Sequence, residues 1–330
     1  MIFMTLDIAH PCGRFGVTAL LLGLLTIPLA ASAQEVYPSR PITLIVPFSA
    51  GSQPDILARA LGEQIGKTLG QPLVVLNRDG AAGVIGVEAL SQAKADGYTI
   101  GYGPQGQFTI QPHLRKTIKY KLDDFEFLCQ SNSGIFAVVA GPQSPYNSLA
   151  ELMEAARKSP GKISFATAGH ATGPHLIGES IALEAGVTLN HIPFRNVGDL
   201  YTQVIGGTVD FAVTSPVFLA TRKDAKGFAV IGEQRLPANP AVPLLKELGY
   251  KRSALPGFIG FYAPKGMPAA ASNALRKACP AAVASESFKQ VAEKTGTPVF
   301  YADAPDYSAG VTQDAKFMGD LLNTLGIKPE

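Results

Sequence analysis

Cysteine is scarce in this chain of 330 residues: there are three, and only Cys129 and Cys279 lie beyond the N-terminal segment. Two thiols can form one bridge in an oxidising compartment, but they cannot staple a disulfide scaffold. Charge is scarce too, at 16% Asp, Glu, Lys and Arg with a net charge of +2. The basic surface that binds nucleic acid is therefore not expected. Long apolar runs are missing except for one, Val17 through Leu29, which is shorter than the roughly 18–20 residues a membrane-spanning helix needs. There is no internal repeat at a spacing of roughly 20–50 residues, which excludes a solenoid, and no low-complexity linker, which excludes domains strung like beads. Catalytic signatures are absent as well: no G-x-S-x-G elbow, no H-E-x-x-H pair and no Walker loop. One nucleotide-binding pattern does occur, Gly101-Tyr102-Gly103-Pro104-Gln105-Gly106. Its context is wrong: Pro104 and Pro112 bracket it, no long helix opens from it, and it ends a series of strands, where a dinucleotide fold begins with one. Neither a cofactor nor an enzymatic activity is expected.

What is present begins with an export signal. Arg14 precedes the apolar run, and Ala31-Ser32-Ala33 follows it just before Gln34. This is the order of a cleavable signal peptide over residues 1–33. Cys12 lies ahead of the apolar run, where a lipid anchor cannot use it. The expected location is the periplasm, and residues 34–330 are enough for two lobes or one large α/β domain.

From Pro41 onward, short β-branched runs alternate with helical patterns, which predicts an α/β fold with largely parallel sheets flanked by helices. Ile42–Phe48 reads as a buried strand, followed by a helix striped with Leu57, Leu61, Ile65 and Leu69 and stopped by Gly70. Strands follow at Leu73–Leu76 and Tyr98–Tyr102, with a helix running to Lys94 between them. A second series starts after Cys129, with strands at Phe136–Ala140, Ile163–Ala166, Leu189–Phe194, Val209–Val213 and Phe228–Ile231. Its first helix opens on the capping box Ser148-Leu149-Ala150-Glu151. Ile259–Ala263 reads as a further strand leading to a helix start at Pro268, and Pro280 is expected to break or kink that helix. Two lobes sharing crossing strands fit this order.

Two loops share a design. Pro47–Asp55 and Ala166–His175 each follow a buried strand, are rich in small residues and open a helix. Free backbone N–H groups and the helix dipole favour an anion at such a point, although a strand-to-helix loop of any α/β protein has the same look. His170 and His175 are spaced i, i+5, which suits two metal ligands on one helix face poorly, and no Cys or acidic cluster joins them, so no metal site is expected.

The residues also carry a resemblance. Tyr37-Pro38-Ser39-Arg40-Pro41-Ile42, Val46-Pro47-Phe48, Asp55-Ile56-Leu57-Ala58-Arg59, Gly70-Gln71-Pro72, Asn77-Arg78 and Ala95-Asp96-Gly97-Tyr98-Thr99 occur in order. Thr167-Ala168-Gly169, His191-Ile192-Pro193-Phe194, Gly206-Gly207-Thr208-Val209-Asp210 and Ala263-Pro264-Lys265-Gly266-Met267-Pro268 continue the series. Together they resemble the substrate-binding proteins of tripartite tricarboxylate transporters, the TctC or Bug family. The resemblance implies a two-lobe Venus-flytrap binding protein of type II-like form, with residues 34–129 plus 256–330 in one lobe and 130–255 in the other. It implies capture of a small organic carboxylate, a di- or tricarboxylate or an aromatic carboxylate, for the membrane subunits of such a transporter. A receptor presenting the carboxylate to a sensor kinase is the alternative.

On that likeness the binding residues are Phe48, Ser49, Ser52, Gln53 and Asp55 from the first loop, and Thr167, Ala168, Gly169, His170 and Thr172 from the second. Gln105 and Phe108, with Thr109, form a third segment reaching the cleft, and Phe108 reads equally as core. Arg195 offers a two-donor fork for a carboxylate, or stands as a paired surface residue. Asp55 would repel a carboxylate directly, so it reads as a helix-start residue beside Arg59 or as an acceptor for an amine or water. The first loop departs from the family's usual glycine-rich form in being bulkier and richer in side-chain donors, which points to a different subset of ligands.

Overall fold

The computed structural model describes residues 37–170, 172–194, 196–232, 234–236, 238–250, 257–327 and 329. The expected signal peptide over residues 1–33 and the candidate Arg195 lie outside them. The elements run β1 (Ile42–Val46), α1 (Gln53–Leu69), β2 (Leu73–Asn77), α2 (Val84–Ser91), β3 (Thr99–Pro104), and two short helices, α3 (Gly106–Thr109) and α4 (Gln111–Leu114). Then come β4 (Phe125–Gly134), β5 (Phe136–Ala140), α5 (Leu149–Lys158), β6 (Ser164–Thr167), α6 (Gly173–Ala185), β7 (Asn190–Pro193), α7 (Val197–Ile205), β8 (Phe211–Thr214), α8 (Val217–Thr221) and β9 (Lys226–Ile231). The chain closes with β10 (Gly257–Pro264), α9 (Ala269–Ala284), α10 (Glu286–Lys294), β11 (Val299–Ala302) and α11 (Ala304–Thr324). Among the described residues no helix is long and apolar enough to cross a membrane.

The strands form two mixed sheets. In the first, ordered β11-β4-β10-β3-β1-β2, the three strands β1, β2 and β3 run parallel and β10, β4 and β11 join antiparallel. In the second, ordered β7-β6-β8-β5-β9, β6 lies parallel to β7 and β8, and β5 is antiparallel to both its neighbours. Central β1 buries Ile42, Leu44, Ile45 and Val46, as a parallel strand covered on both faces must. Edge strand β2 instead alternates, leaving Val74 and Leu76 exposed. Helix α1 buries Leu57, Ala58, Leu61 and Ile65 against the first sheet and ends where Gly70 takes the left-handed conformation at φ 71°. Helix α5 opens as expected, with Ser148 Oγ accepting from the Glu151 N–H at 3.1 Å.

Two readings are corrected. Helix α2 stops at Ser91, short of Lys94. Helix α9 runs through Pro280 to Ala284 without interruption. Ala278, Cys279, Ala282 and Val283 on either side of the proline are buried in the first sheet's core, and this tertiary packing outweighs the one backbone bond the proline removes. Strand β4, which the sequence does not announce, runs past Cys129 to Gly134 although its second half reads Gln130-Ser131-Asn132-Ser133. All four are buried. Tyr102 donates to Asn132 Oδ1 at 3.2 Å, and Asn132 Nδ2 donates to the carbonyls of Thr297 and Pro298, so this polar stretch is held inside the sheet by its own network.

Cys129 on β4 and Cys279 on α9 form a disulfide across 150 residues of sequence, with Cα atoms 6.6 Å apart. Beyond it the chain steps from the first sheet to the second within one residue, Ile135, and returns at Gly257. Gly134 and Gly257 are paired there, and a Cβ on Gly134 would stand 3.0 Å from Gly257 Cα.

Two outcomes are expected. Residues 34–330, unfolded but not reduced, should show no thiol reactive to a chromogenic reagent, and the Cys129→Ser, Cys279→Ser variant should lose about 2–5 kcal/mol in urea unfolding, since the bridge closes a long loop; two reactive thiols would disprove the pairing. Gly134→Ala should lower stability by ~1–3 kcal/mol through the backbone overlap, and an unchanged urea midpoint would show that the two crossings can separate at no cost.

Candidate functional site

Strands β1 and β3 of the first sheet end at Val46 and Pro104, and β6 and β8 of the second end at Thr167 and Thr214. Ligands of open α/β sheets bind beyond such carboxyl ends. The two ends meet: Gln105, just past β3, and Gly257 line a cavity of about 40 Å³ together with Phe136, Gly173, Ser180 and Asp314. Beside it, Ile110 and Leu176 pack with Met318, Leu321 and Leu322 of α11. A space of that size holds water and nothing larger. Asp314 is 1% exposed. Burial pushes its carboxyl above the usual range, against the opposing influence of the neighbouring Thr109 and Gln105.

In the first loop, Asp55 sits in the first turn of α1 and is 2% exposed. Its Oδ2 accepts from the Gly51 N–H at 2.9 Å and from Arg59 Nε at 3.0 Å, and its Oδ1 accepts from Asn77 Nδ2 at 2.8 Å. Burial alone would raise this carboxyl; the bonds from Arg59, Gly51 and Asn77 outweigh it and hold the group below its ordinary value. Asn77 Nδ2 also donates to the Phe48 carbonyl at 3.0 Å. Asp55 thus organises the loop from beneath. Gln53 turns outward from the helix start, and its Nε2 donates to the Thr295 carbonyl at 3.0 Å and to Thr297 Oγ1 at 2.5 Å. Ser49 donates to Asp79, and Phe48 is half-buried against the first core. The Ser52 hydroxyl is buried without a partner among the described residues, and α1 opens with no side-chain cap.

The second loop has the same form. Thr167 is fully buried, and its hydroxyl donates to the Gly169 carbonyl at 2.9 Å. Thr172 donates to that carbonyl at 3.0 Å. Gly169 takes φ 118°, a conformation that favours glycine. Ala168 and His170 are exposed, and α6 opens at Gly173 with no side-chain cap, as α1 does. By contrast α5, α7, α10 and α11 are capped by Ser148, Asn196, Ser285 and Asp303. Helices α2 and α9 are uncapped as well, so an open N-terminus alone does not distinguish the two loops.

The third segment is less exposed than the sequence suggested. Phe108 is 2% exposed and packs edge-on against Tyr120, Phe125, Phe127 and Tyr262, so its ring is part of the core. Gln105 Oε1 accepts from the Phe258 N–H at 2.7 Å, and Thr109 is buried.

Sequence reasoning missed two features. An open space of about 600 Å³ is lined by Ile135, Pro216, Val217, Thr297, Pro298 and Phe300 among others, within the range of ligand pockets. The signal for its wall was present: Thr214-Ser215-Pro216 follows a buried strand just as the two named loops do. The second feature is His191 on β7, whose ring stacks on that of His175 at 3.9 Å. His170 lies on the loop before α6, so helix spacing does not govern this pair, and its ring lies 4.7 Å from that of His175. Burial, then the nearby His175 and His170 rings, push His191 down to about 3.

A family model described as the tripartite tricarboxylate transporter family receptor, TctC, matches residues 57–327. A UPF0065 protein of Bordetella pertussis is 30% identical over 305 residues, covering 91% of this chain and 94% of that protein. Among solved structures, the periplasmic binding protein BugD is 31% identical with a TM-score of 0.73, over 89% of this chain and all of that one. A TctC solute binding protein from Polaromonas, without ligand, is 28% identical with a TM-score of 0.78, over 87% of this chain and 99% of that one. Two R. palustris proteins share the fold at lower identity, one solved with adipate (24%, TM-score 0.75, covering 89% of this chain and all of that one) and one with bound malate (23%, 0.72, covering 87% and all). On the length of these matches, the chain belongs to the tripartite tricarboxylate transporter receptor family, TctC, a family of solute-binding receptors and not of enzymes.

Proposed function

We propose that the protein is exported to the periplasm and captures a small organic carboxylate between its two sheets for the membrane subunits of a tripartite tricarboxylate transporter. The observation that carries this reading is the placement of two small-residue loops, Ser49–Ser52 and Ala168–Thr172, each between the carboxyl end of a buried parallel strand and an uncapped helix start. Each helix start leaves N–H groups and the positive end of the helix dipole available to an anion. The buried, unpartnered Ser52 hydroxyl supports a polar guest beside the first loop. The fold holds adipate and malate in chains too distant to speak for the ligand of this one.

In this reading Ser49, Ser52, Gln53, Ala168, Gly169, His170 and Thr172 face the ligand, while Asp55, Thr167 and Gln105 hold the backbone in place. The two lobes carry the two sheets, one built from β1–β4 with β10 and β11 and the other from β5–β9. Closure turns on the crossings at Gly134 and Gly257, with the closed form favoured by ligand contacts to both sides. A receptor that presents its carboxylate to a sensor kinase finds no support in the family or its solved relatives.

Residues 34–330, screened by thermal unfolding against aliphatic and aromatic dicarboxylates with neutral amides as controls, should be stabilised by one carboxylate class and not by its amides. At a hundredfold excess over Kd the gain is about 2.7 kcal/mol. Ser52→Ala should weaken that binding by about tenfold while the unliganded protein unfolds no earlier. No shift from any acid would remove the carboxylate reading. The periplasmic form should begin at Gln34 on N-terminal sequencing.

A further inference from the structure

Three of the five histidines in the chain, His170, His175 and His191, converge from a loop, a helix and a strand, with one ring nitrogen of each within 4.8 Å of the others. Their ring centroids are 3.9, 4.7 and 6.1 Å apart. We propose that these three imidazoles form a binding site for a divalent transition-metal ion of the zinc class, at the edge of the second loop. The inference goes beyond carboxylate capture and does not depend on it.

The donor set fits such an ion. Imidazole nitrogen suits Zn²⁺, Cu²⁺, Ni²⁺ and Co²⁺ and is a poor match for the oxygen-seeking Ca²⁺ and Mg²⁺. Three imidazoles at Zn–N distances of about 2.0–2.1 Å stand about 3.4 Å apart, nitrogen to nitrogen, around a tetrahedral ion. The cluster needs to close by no more than about 1.4 Å from its present spacing, which rotation of the exposed His170 side chain can supply.

The surrounding hydrogen bonds orient two of the rings as metal ligands are oriented. The Thr167 hydroxyl gives its only proton to the Gly169 carbonyl at 2.9 Å, so at its 2.7 Å contact with His191 Nε2 it must accept. His191 therefore carries its proton on Nε2, and its lone pair is on Nδ1. His175 Nε2 stands 3.5 Å from Glu179 Oε1, a carboxylate partner of the kind that metal-bound imidazoles keep. Three protein ligands leave a fourth position open, as in sites where the ion also holds water or a carboxylate.

The test uses tag-free protein freed of metal by chelator and titrated calorimetrically with Zn²⁺ in the absence of any carboxylate. One ion per chain is expected, with Co²⁺ giving the visible absorption of a tetrahedral site and Mg²⁺ and Ca²⁺ giving no heat. His170→Ala, at an exposed position that the fold does not need, should weaken Zn²⁺ by well over ~10-fold, and Thr167→Val, which frees the tautomer of His191, by ~10-fold. Substoichiometric binding, or equal Zn²⁺ affinity in wild type and His170→Ala, overturns the site. Because no organic ligand is present, either result leaves the carboxylate reading to its own test.

Discussion

The pairing of β10 with β4 is the constraint on which the rest of this architecture rests. It places a strand from late in the chain at the centre of the first sheet, between β3 and β4, paired from Gly257 opposite Gly134 to Pro264 opposite Phe125 with two shifts of register on the way. The chain can satisfy that pairing only by leaving the first sheet after β4, building the whole of the second, and coming back beside the point of departure. Both passages therefore lie against each other. At their meeting point the backbones are close enough that neither residue has room for a side chain, since a Cβ on Gly257 would come within 3.1 Å of Gly134 Cα. The Cys129–Cys279 bridge fixes β4 to α9 only five positions before the crossing, so the first sheet is held firm up to the step.

The same arrangement brings Gln105, past the end of β3, and Gly173, at the start of α6, to one small cavity. The loops after β1 and β6 solve an equivalent problem with different chemistry. After β1, the buried Asp55 carboxylate gathers Gly51, Arg59 and Asn77, and Asn77 in turn gathers the Phe48 carbonyl. After β6, no charge is used, and two threonine hydroxyls converge on the Gly169 carbonyl. In both, a buried polar side chain, Asp55 or Thr167, shapes the backbone from beneath.

The sequence announced whatever depended on local patterning. The apolar stripe of α1, its stop at Gly70, the buried run of β1 and the Ser148 cap each follow from a few neighbouring residues, and each appears where expected. The passage Gln130–Ser133 is hard to read as a strand because Gln130, Ser131 and Asn132 bond to one another and to Tyr102, Ile259, Thr297 and Pro298, which are distant in sequence. Phe108 could be read as wall or core until Tyr120, Phe125, Phe127 and Tyr262 were seen around it. His191 carries no sign of its partners in the sequence, because β7 reaches the loop before α6 through the pairing of β6 with β7.

That pairing also explains why the histidines belong together. Phe165 lies opposite His191 in the register of β6 and β7, and its ring stacks near both His191 and His175. His175 is buried over this aromatic floor, His191 is half-buried beside it, and His170 stays exposed on the loop. A cluster built only to fill a core would have no use for ring nitrogens packed this closely, since each must find a polar partner or stay bare in an apolar setting. Here Thr167 serves His191 and Glu179 stands near His175. The polar side of the cluster is thus oriented, with His170 on the loop that follows β6. Any ion held there would share that loop with whatever the helix start of α6 attracts.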